Sequence, residues 1–146
     1  MGPTVATSRG EGDTISMSDA RSEFREATLR TIAMPKDTNP NGDIFGGWLL
    51  SQMDLAGSIA ARERAGGRVV TVSLDGMSFH RPVFVGDEMS CYSDVTRVGT
   101  TSITVHVAAY RRNPEAGQRE QVTEGTFTFV HIDDEGRPRK IPAADR

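Results

Sequence analysis

The residues best placed to do chemistry lie in one stretch, Asn41-Gly42-Asp43-Ile44-Phe45-Gly46-Gly47-Trp48-Leu49-Leu50-Ser51-Gln52-Met53-Asp54-Leu55-Ala56-Gly57. It opens as a turn, because Asn-Gly is a strong turn signal, and passes into a long apolar segment of helical character. Gly46 and Gly47 at that junction let a bound group approach backbone N–H donors that have no partner inside the helix. Such a place suits an anion or an oxyanion. Two helical turns beyond Gly47, Asp54 projects from a segment that otherwise carries almost no charge. Its helical neighbours are Leu50, Gly57 and Ala61, an apolar stripe of mostly small residues. A carboxyl on such a stripe is expected to be enclosed, and enclosure disfavours the charged form, which suits a group that moves protons. The plainer reading is a structural hydrogen bond to Ser51 or Ser58 on the same helix. Asp43 is either a turn residue following Asn-Gly or a helper that orients water or substrate.

The remaining reactive residue types give weaker signals. Asp75 precedes His80 by five, a spacing that could form an acid–histidine dyad, but the pair falls at a strand end. His106 and His131 sit in strand patterns and read as ordinary sheet residues. Cys91 alternates with Met89 on an inward face and reads as a buried structural thiol. No spacing among the histidines and Cys91 suggests a zinc site, so no metal is expected. The chain has no Gly-x-Ser-x-Gly elbow, no phosphate loop and no dinucleotide fingerprint.

These residues need elements to hold them. The first strand is expected from about Phe24 to Met34, ending before Pro35, with Pro35 to Gly46 as a loop. The helix should run from about Gly47 to Arg64, with Gly66-Gly67 as its C-cap. Its apolar residues nearly encircle it, so it belongs inside something. Arg68 to Met77 puts Val70, Val72 and Leu74 on one face. Glu88 to Val98 does the same with Met89, Cys91 and Val95. Ile103, Val105, Val107 and Ala109 alternate with polar partners, and Gln121 to Ile132 closes with Phe127 and Phe129. Turns fall at Arg81 to Gly86, at Gly99, at Asn113 to Gly117 and at Asp133 to Gly136. One helix, one strand before it and four after it read as an α+β protein, an antiparallel sheet curled around a central helix.

The whole chain of 146 residues is one domain's worth. Residues 1 to 22, rich in Gly, Ser, Thr, Asp and Glu, read as a disordered tail without a secretory h-region; 23 to 142 form the single domain and 143 to 146 a short C-terminal tail. Met1-Gly2 is followed by Pro3, and Ala6 stands where a myristoylation signal wants Ser or Thr. A net charge of −3 argues against a general nucleic-acid surface. A single cysteine fits a reducing cytoplasm, and no apolar run approaches membrane-spanning length.

Met34-Pro35-Lys36-Asp37-Thr38-Asn39, the Asn41 to Gly47 turn, Ser51-Gln52-Met53-Asp54, Gly67-Arg68-Val69-Val70-Thr71-Val72, the Pro82 to Asp87 turn and Arg139-Lys140-Ile141-Pro142 together resemble the YciA-type acyl-CoA thioesterases of the hot-dog superfamily. The resemblance covers about residues 28 to 142. It implies the hot-dog fold and hydrolysis of acyl-CoA to a free acid and coenzyme A without metal or cofactor. It also implies Asp54 as general base or nucleophile and the Gly47 amide, with that of Gly46, as oxyanion donor. In such enzymes the helix start and the acid usually come from different subunits, so at least a dimer is implied, commonly assembled further into a hexameric trimer of dimers. Coenzyme A carries phosphates and calls for fixed cations. Arg81 and Arg97 lie where family members commonly have Lys or Arg, Arg68 is a third candidate, and Asn41 and Phe79 complete the expected substrate contacts. Trp48, Leu50, Met77 and Phe79 are candidates to line an acyl tunnel. The rival reading is a hot-dog module that senses acyl-CoA without hydrolysing it; a third, suggested by Asp75 and His80, is an enoyl-CoA hydratase.

Overall fold

The computed structural model describes residues 25–144; the expected N-terminal tail, Phe24 and the last two residues lie outside that range. The chain runs β1 (Leu29–Ile32), a 3-10 turn (Pro35–Asp37), α1 (Gly46–Ala65), β2 (Val69–Phe79), β3 (Glu88–Val98), β4 (Ser102–Arg112) and β5 (Arg119–His131). The five strands form one antiparallel sheet in the order β1-β3-β4-β5-β2, so β1 and β2 hold its open edges.

The expected helix and strands are present, with their ends adjusted by local chemistry. α1 begins after Phe45, which is extended and gives no side-chain cap, and stops at Gly66, whose φ of 73° and N–H bond to the Arg62 carbonyl at 2.8 Å close it. The first strand is shorter than the expected 24 to 34, since its pairing with β3 runs only over Leu29–Ile32, and Pro35 starts a 3-10 turn inside the expected loop. The buried Asp37 carboxylate accepts the Met34 N–H at 3.0 Å and holds that turn closed.

The face of α1 bearing Leu49, Met53, Ala56 and Ala61 packs on Met89, Cys91, Ile103, Val105, Val107, Ala109, Phe127 and Phe129. Alternation in β4 and β5 therefore reads as expected. In β3 Met89 and Cys91 face the helix, but Val95, expected on the same face, is 38% exposed and outside the core, beside a register shift between Val95 and Arg97. Nor does alternation hold in β2. Register shifts between Thr71 and Ser73 and between Asp75 and Ser78 change which residues face the helix. Val70 and Val72 are 40% and 54% exposed, whereas Leu74 packs against the core, so the expected shared face of these three is broken. Before the first shift Val69 and Thr71 face the helix, and after it Leu74 does.

The connection from β2 to β3 crosses from one edge of the sheet to the other side. Asp87, buried at its end, accepts the Phe84 N–H at 2.8 Å and an Arg111 N–H at 3.2 Å. Backbone bonds from Gly86 to the Ala33 carbonyl and from Ala33 to the Asp87 carbonyl tie the crossing to β1.

Candidate active site

Asp54 lies on the flank of α1 that faces β2, half-buried. Its Oδ1 accepts the Thr71 hydroxyl at 2.7 Å. The expected alternatives on its own helix are taken elsewhere: the Ser51 hydroxyl donates to the Trp48 carbonyl at 2.6 Å and that of Ser58 to the Leu55 carbonyl at 2.8 Å. Full enclosure of Asp54 is likewise not found in the single chain. Its carboxylate opens on a cleft of about 440 Å³ lined by Gly47, Leu50, Ser51, Thr71, Val72, Ser73, Leu74 and Phe127. Apolar walls with a few polar groups are what an acyl chain and its thioester need.

The start of α1 supplies donors. The Trp48 and Leu49 amides return to the Phe45 carbonyl, while those of Gly46 and Gly47 have no acceptor among the described residues. They stand at the positive end of the helix dipole. Both glycines are needed for close approach: a Cβ on Gly46 would come 3.2 Å from the Phe79 ring, and one on Gly47 would come 3.1 Å from the Phe45 ring. Gly46, Phe79 and Arg81 share a second, smaller cleft of about 250 Å³ at the helix start.

Asp43 and Asn41 sit in the exposed turn before the helix, and neither side chain meets a partner among the described residues. The turn is held by a residue that the sequence reading passed over. Asn39 Oδ1 accepts the N–H groups of Asn41 at 2.9 Å and Asp43 at 3.1 Å, and the Asn39 N–H donates to the Asp43 carbonyl at 2.7 Å. An Asn two residues before a turn is a recognisable signal of this arrangement. Thr71, by contrast, is 17 residues from Asp54, and no local pattern pairs them.

The three arginine candidates separate. Arg81 is engaged with the Gln121 carbonyl at 3.1 Å and Glu120 at 3.4 Å. Arg68, at the start of β2, and Arg97, near the end of β3, are exposed with no partner for their guanidinium groups among the described residues, and they line neither cleft. Of the proposed tunnel residues, Leu50 lines the main cleft; Trp48 and Met77 pack into the core. Asp75 and His80 are exposed and make no contact with each other. Cys91 is fully buried, and that burial pushes its thiol up from 9.0 to about 12. His131 is buried with Nδ1 unpaired among the described residues, and His106 Nε2 meets Glu124 at 2.8 Å. Among the described residues no three His, Cys, Asp or Glu gather as a metal-ligand set, and no helix is long and apolar enough to cross a membrane.

The sheet's other face carries a cleft of about 470 Å³ with Arg25, Arg30, Arg111, Arg112 and Arg119. Asp94, Glu88, Asp87 and Glu120 pair with the first four, and Arg119 donates to the Tyr92 hydroxyl at 2.8 Å. This nearly neutral network stands apart from Asp54.

Residues 41–117 match the family model described as the thioesterase superfamily. The chain belongs to the thioesterase superfamily. Over 120 residues it is 52% identical to the acyl-CoA thioester hydrolase YciA of Salmonella typhimurium, an alignment covering 80% of this chain and 90% of that protein. It superposes on a hexameric thioesterase of Yersinia pestis with a TM-score of 0.78 and 52% identity, covering 83% and 98% of the two chains. A hexameric hotdog-fold thioesterase of Campylobacter jejuni gives 0.76 and 49%, covering 81% and 91%. The helix and curled sheet of this thioesterase are thus the hot-dog fold, as the sequence resemblance implied.

Proposed function

We propose that this chain hydrolyses acyl-CoA to a carboxylic acid and coenzyme A in the cleft between α1 and β2. The observation that carries the reading is Asp54, held through one oxygen by Thr71 in an otherwise largely apolar cleft, with bare amides at the start of the same helix. As general base, Asp54 takes a proton from water while the water oxygen attacks the thioester carbonyl carbon. The carbonyl oxygen becomes negative and is stabilised by helix-start amides, worth about 3 kcal/mol per donor. The C–S bond then breaks, the sulfur leaves as thiolate, and it gains a proton. As nucleophile, Asp54 would instead form an anhydride that water opens. Both routes need the same carboxylate. Asp43 serves as a helper at the turn, and Arg68, Arg81 and Arg97 are the cations offered to the phosphates of coenzyme A, with Asn41 and Phe79 as further contacts.

Gly47 and Asp54 are two turns apart, so about 10 Å of helix separates them. A carbonyl about 3 Å from that carboxylate cannot reach the Gly47 amide of the same chain. The geometry favours a second copy that brings its helix start to this Asp54 across the open β2 edge. The exposed Phe45, Phe79 and Val72 are available for that contact. Similar thioesterases are hexamers, which supports a trimer of such dimers. A lone buried cysteine fits the reducing cytoplasm.

Thiol release from short- to long-chain acyl-CoAs, by the purified protein and by Asp54→Asn, tests the reading. Turnover should drop at least a hundredfold in the variant, while its circular dichroism and affinity for coenzyme A stay close to the parent's. Tight acyl-CoA binding with no turnover by the parent protein would replace the enzyme with the sensing module.

A further inference from the structure

The cleft beside Asp54 has a direction. β2 runs against α1: Thr71 meets Asp54 at 2.7 Å, whereas Phe79, at the far end of the strand, lies against Gly46 at the helix start. From the carboxylate the cleft therefore passes along the flank of α1 towards the helix's own beginning, between Leu50 on the helix and Leu74 on β2, with Phe127 beneath. Leu50 is one helical turn from Asp54 and Gly47 two, so the apolar stretch extends about 10 Å beyond the acid. Leu74, three residues along β2 from Thr71, stands at about the same reach.

Leu74 has a support of its own. It pairs with Phe127 across β2 and β5, and next along β5 the register shift sets two residues, Gly76 and Met77, opposite the single residue Gly125. Gly76 takes a φ of 66° there, and Met77 turns inward beside Leu74, where strict alternation would have put Gly76. Gly125 leaves the seat for both side chains: a Cβ on it would come 3.2 Å from Leu74 Cδ1 and 2.9 Å from Met77 Sδ. Gly125 and Met77 do not line the cleft, so they stand behind its Leu74 wall.

We propose that Leu74, backed by Met77 on the seat that Gly125 leaves, closes the acyl end of the cleft and sets the chain length beyond which an acyl-CoA gains nothing. The proposal rests on the hydrolytic reading above and deepens it by naming the side chain that limits the substrate. An extended acyl chain advances about 1.3 Å per carbon, from bonds of about 1.5 Å, so about 10 Å takes roughly eight carbons. Each methylene buried there multiplies kcat/KM about fourfold. Carbons past Leu74 find no further apolar wall and add nothing.

Thiol release from saturated acyl-CoAs, butyryl to palmitoyl, reads this directly as kcat/KM against chain length. The parent should climb about fourfold per methylene and level off near eight carbons. Leu74→Ala, which opens the end, should move that break about two carbons longer; Gly125→Ala, whose methyl presses Leu74 into the cleft, should move it about two carbons shorter. A side chain that only supports the fold behaves differently, since its loss lowers the rate on every chain alike. A break that neither variant moves overturns the assignment, as does one that both move in the same direction. A parent that releases no thiol from any chain removes the hydrolytic reading instead. The break is then read in the dissociation constants of the same panel, and the same two outcomes overturn the role of Leu74.

Discussion

Thr71 occupies Oδ1 of Asp54 at 2.7 Å and leaves Oδ2 without a partner among the described residues. In the proposed reaction that division would let one oxygen fix the carboxylate's direction while the other meets water or substrate. A hydroxyl donating to a carboxylate contributes about 1.5 kcal/mol at the lower end of its range, which suits a half-exposed pair. Thr71→Val should therefore lower kcat about tenfold with little change in coenzyme A affinity, and Thr71→Ser should retain most of it. A loss in the Ser variant with none in the Val variant would show that the methyl group, and not the hydroxyl, matters. Cys91 illustrates the opposite case, a reactive residue type made inert by its surroundings. Its thiol, pushed up to about 12 by burial, stays neutral in the folded protein at pH 8. Iodoacetamide at pH 8 should label it only after unfolding. Because the folded value is raised above the ordinary 9.0, its contribution to stability is complete below pH 9 and is lost as pH rises towards 12. Cys91→Ala should flatten that loss, measured as melting temperature against pH.

At the scale of elements, the cleft exists because α1 lies close on β4 and β5 while β2 curls past its flank. Gly57 permits that closeness: a Cβ there would stand 3.0 Å from the Phe129 ring and 3.2 Å from Val107. Gly57→Val adds three carbons where no space exists, which costs about 2 kcal/mol or more even against a better helix propensity. The variant should melt several degrees lower and lose activity, because lifting the helix separates Asp54 from Thr71. An unchanged melting temperature would mean that the helix rides higher on the sheet than the contacts indicate. The shifts in β2 are the other element-scale device. Strict alternation would have kept Val70, Val72 and Leu74 together; with the register shifted after Thr71, Val69 and Thr71 face the helix before the shift and Leu74 after it, while Val72 lines the cleft.

At the scale of the molecule, one chain holds an acid and a pair of donors that cannot serve the same carbonyl. Activity should therefore depend on association. Specific thiol release should fall on dilution in parallel with the fraction of paired chains, followed by light scattering and rate at matched concentrations. Constant specific activity down to a single-chain mass would mean that Asp54 works with donors from its own chain. The same incompleteness explains why exposed apolar residues gather along α1 and at both sheet edges.

Much of this was readable in the sequence. The span of α1 follows from a turn-forming Asn-Gly, an apolar run and Gly66, and the inward faces of β4 and β5 follow from alternation that the sheet preserves, whereas Val95 leaves the expected face of β3 at a register shift. Asp54 and the paired glycines were legible because a charge in an apolar helix and two glycines at its start are local anomalies. Sheet order and the partnership of Asp54 with Thr71 were not, since they depend on a β2 register set by its pairing with β5. Nor did sequence distinguish the arginines: Arg81 is tied to Glu120 on the neighbouring strand β5, whereas Arg68 and Arg97 have no partner among the described residues. Local patterns depend on the nearest few residues and survive in the sequence. The enclosure of Asp54, the commitment of each arginine and the bareness of one helix face depend on residues far along the chain, and only the tertiary structure decides them.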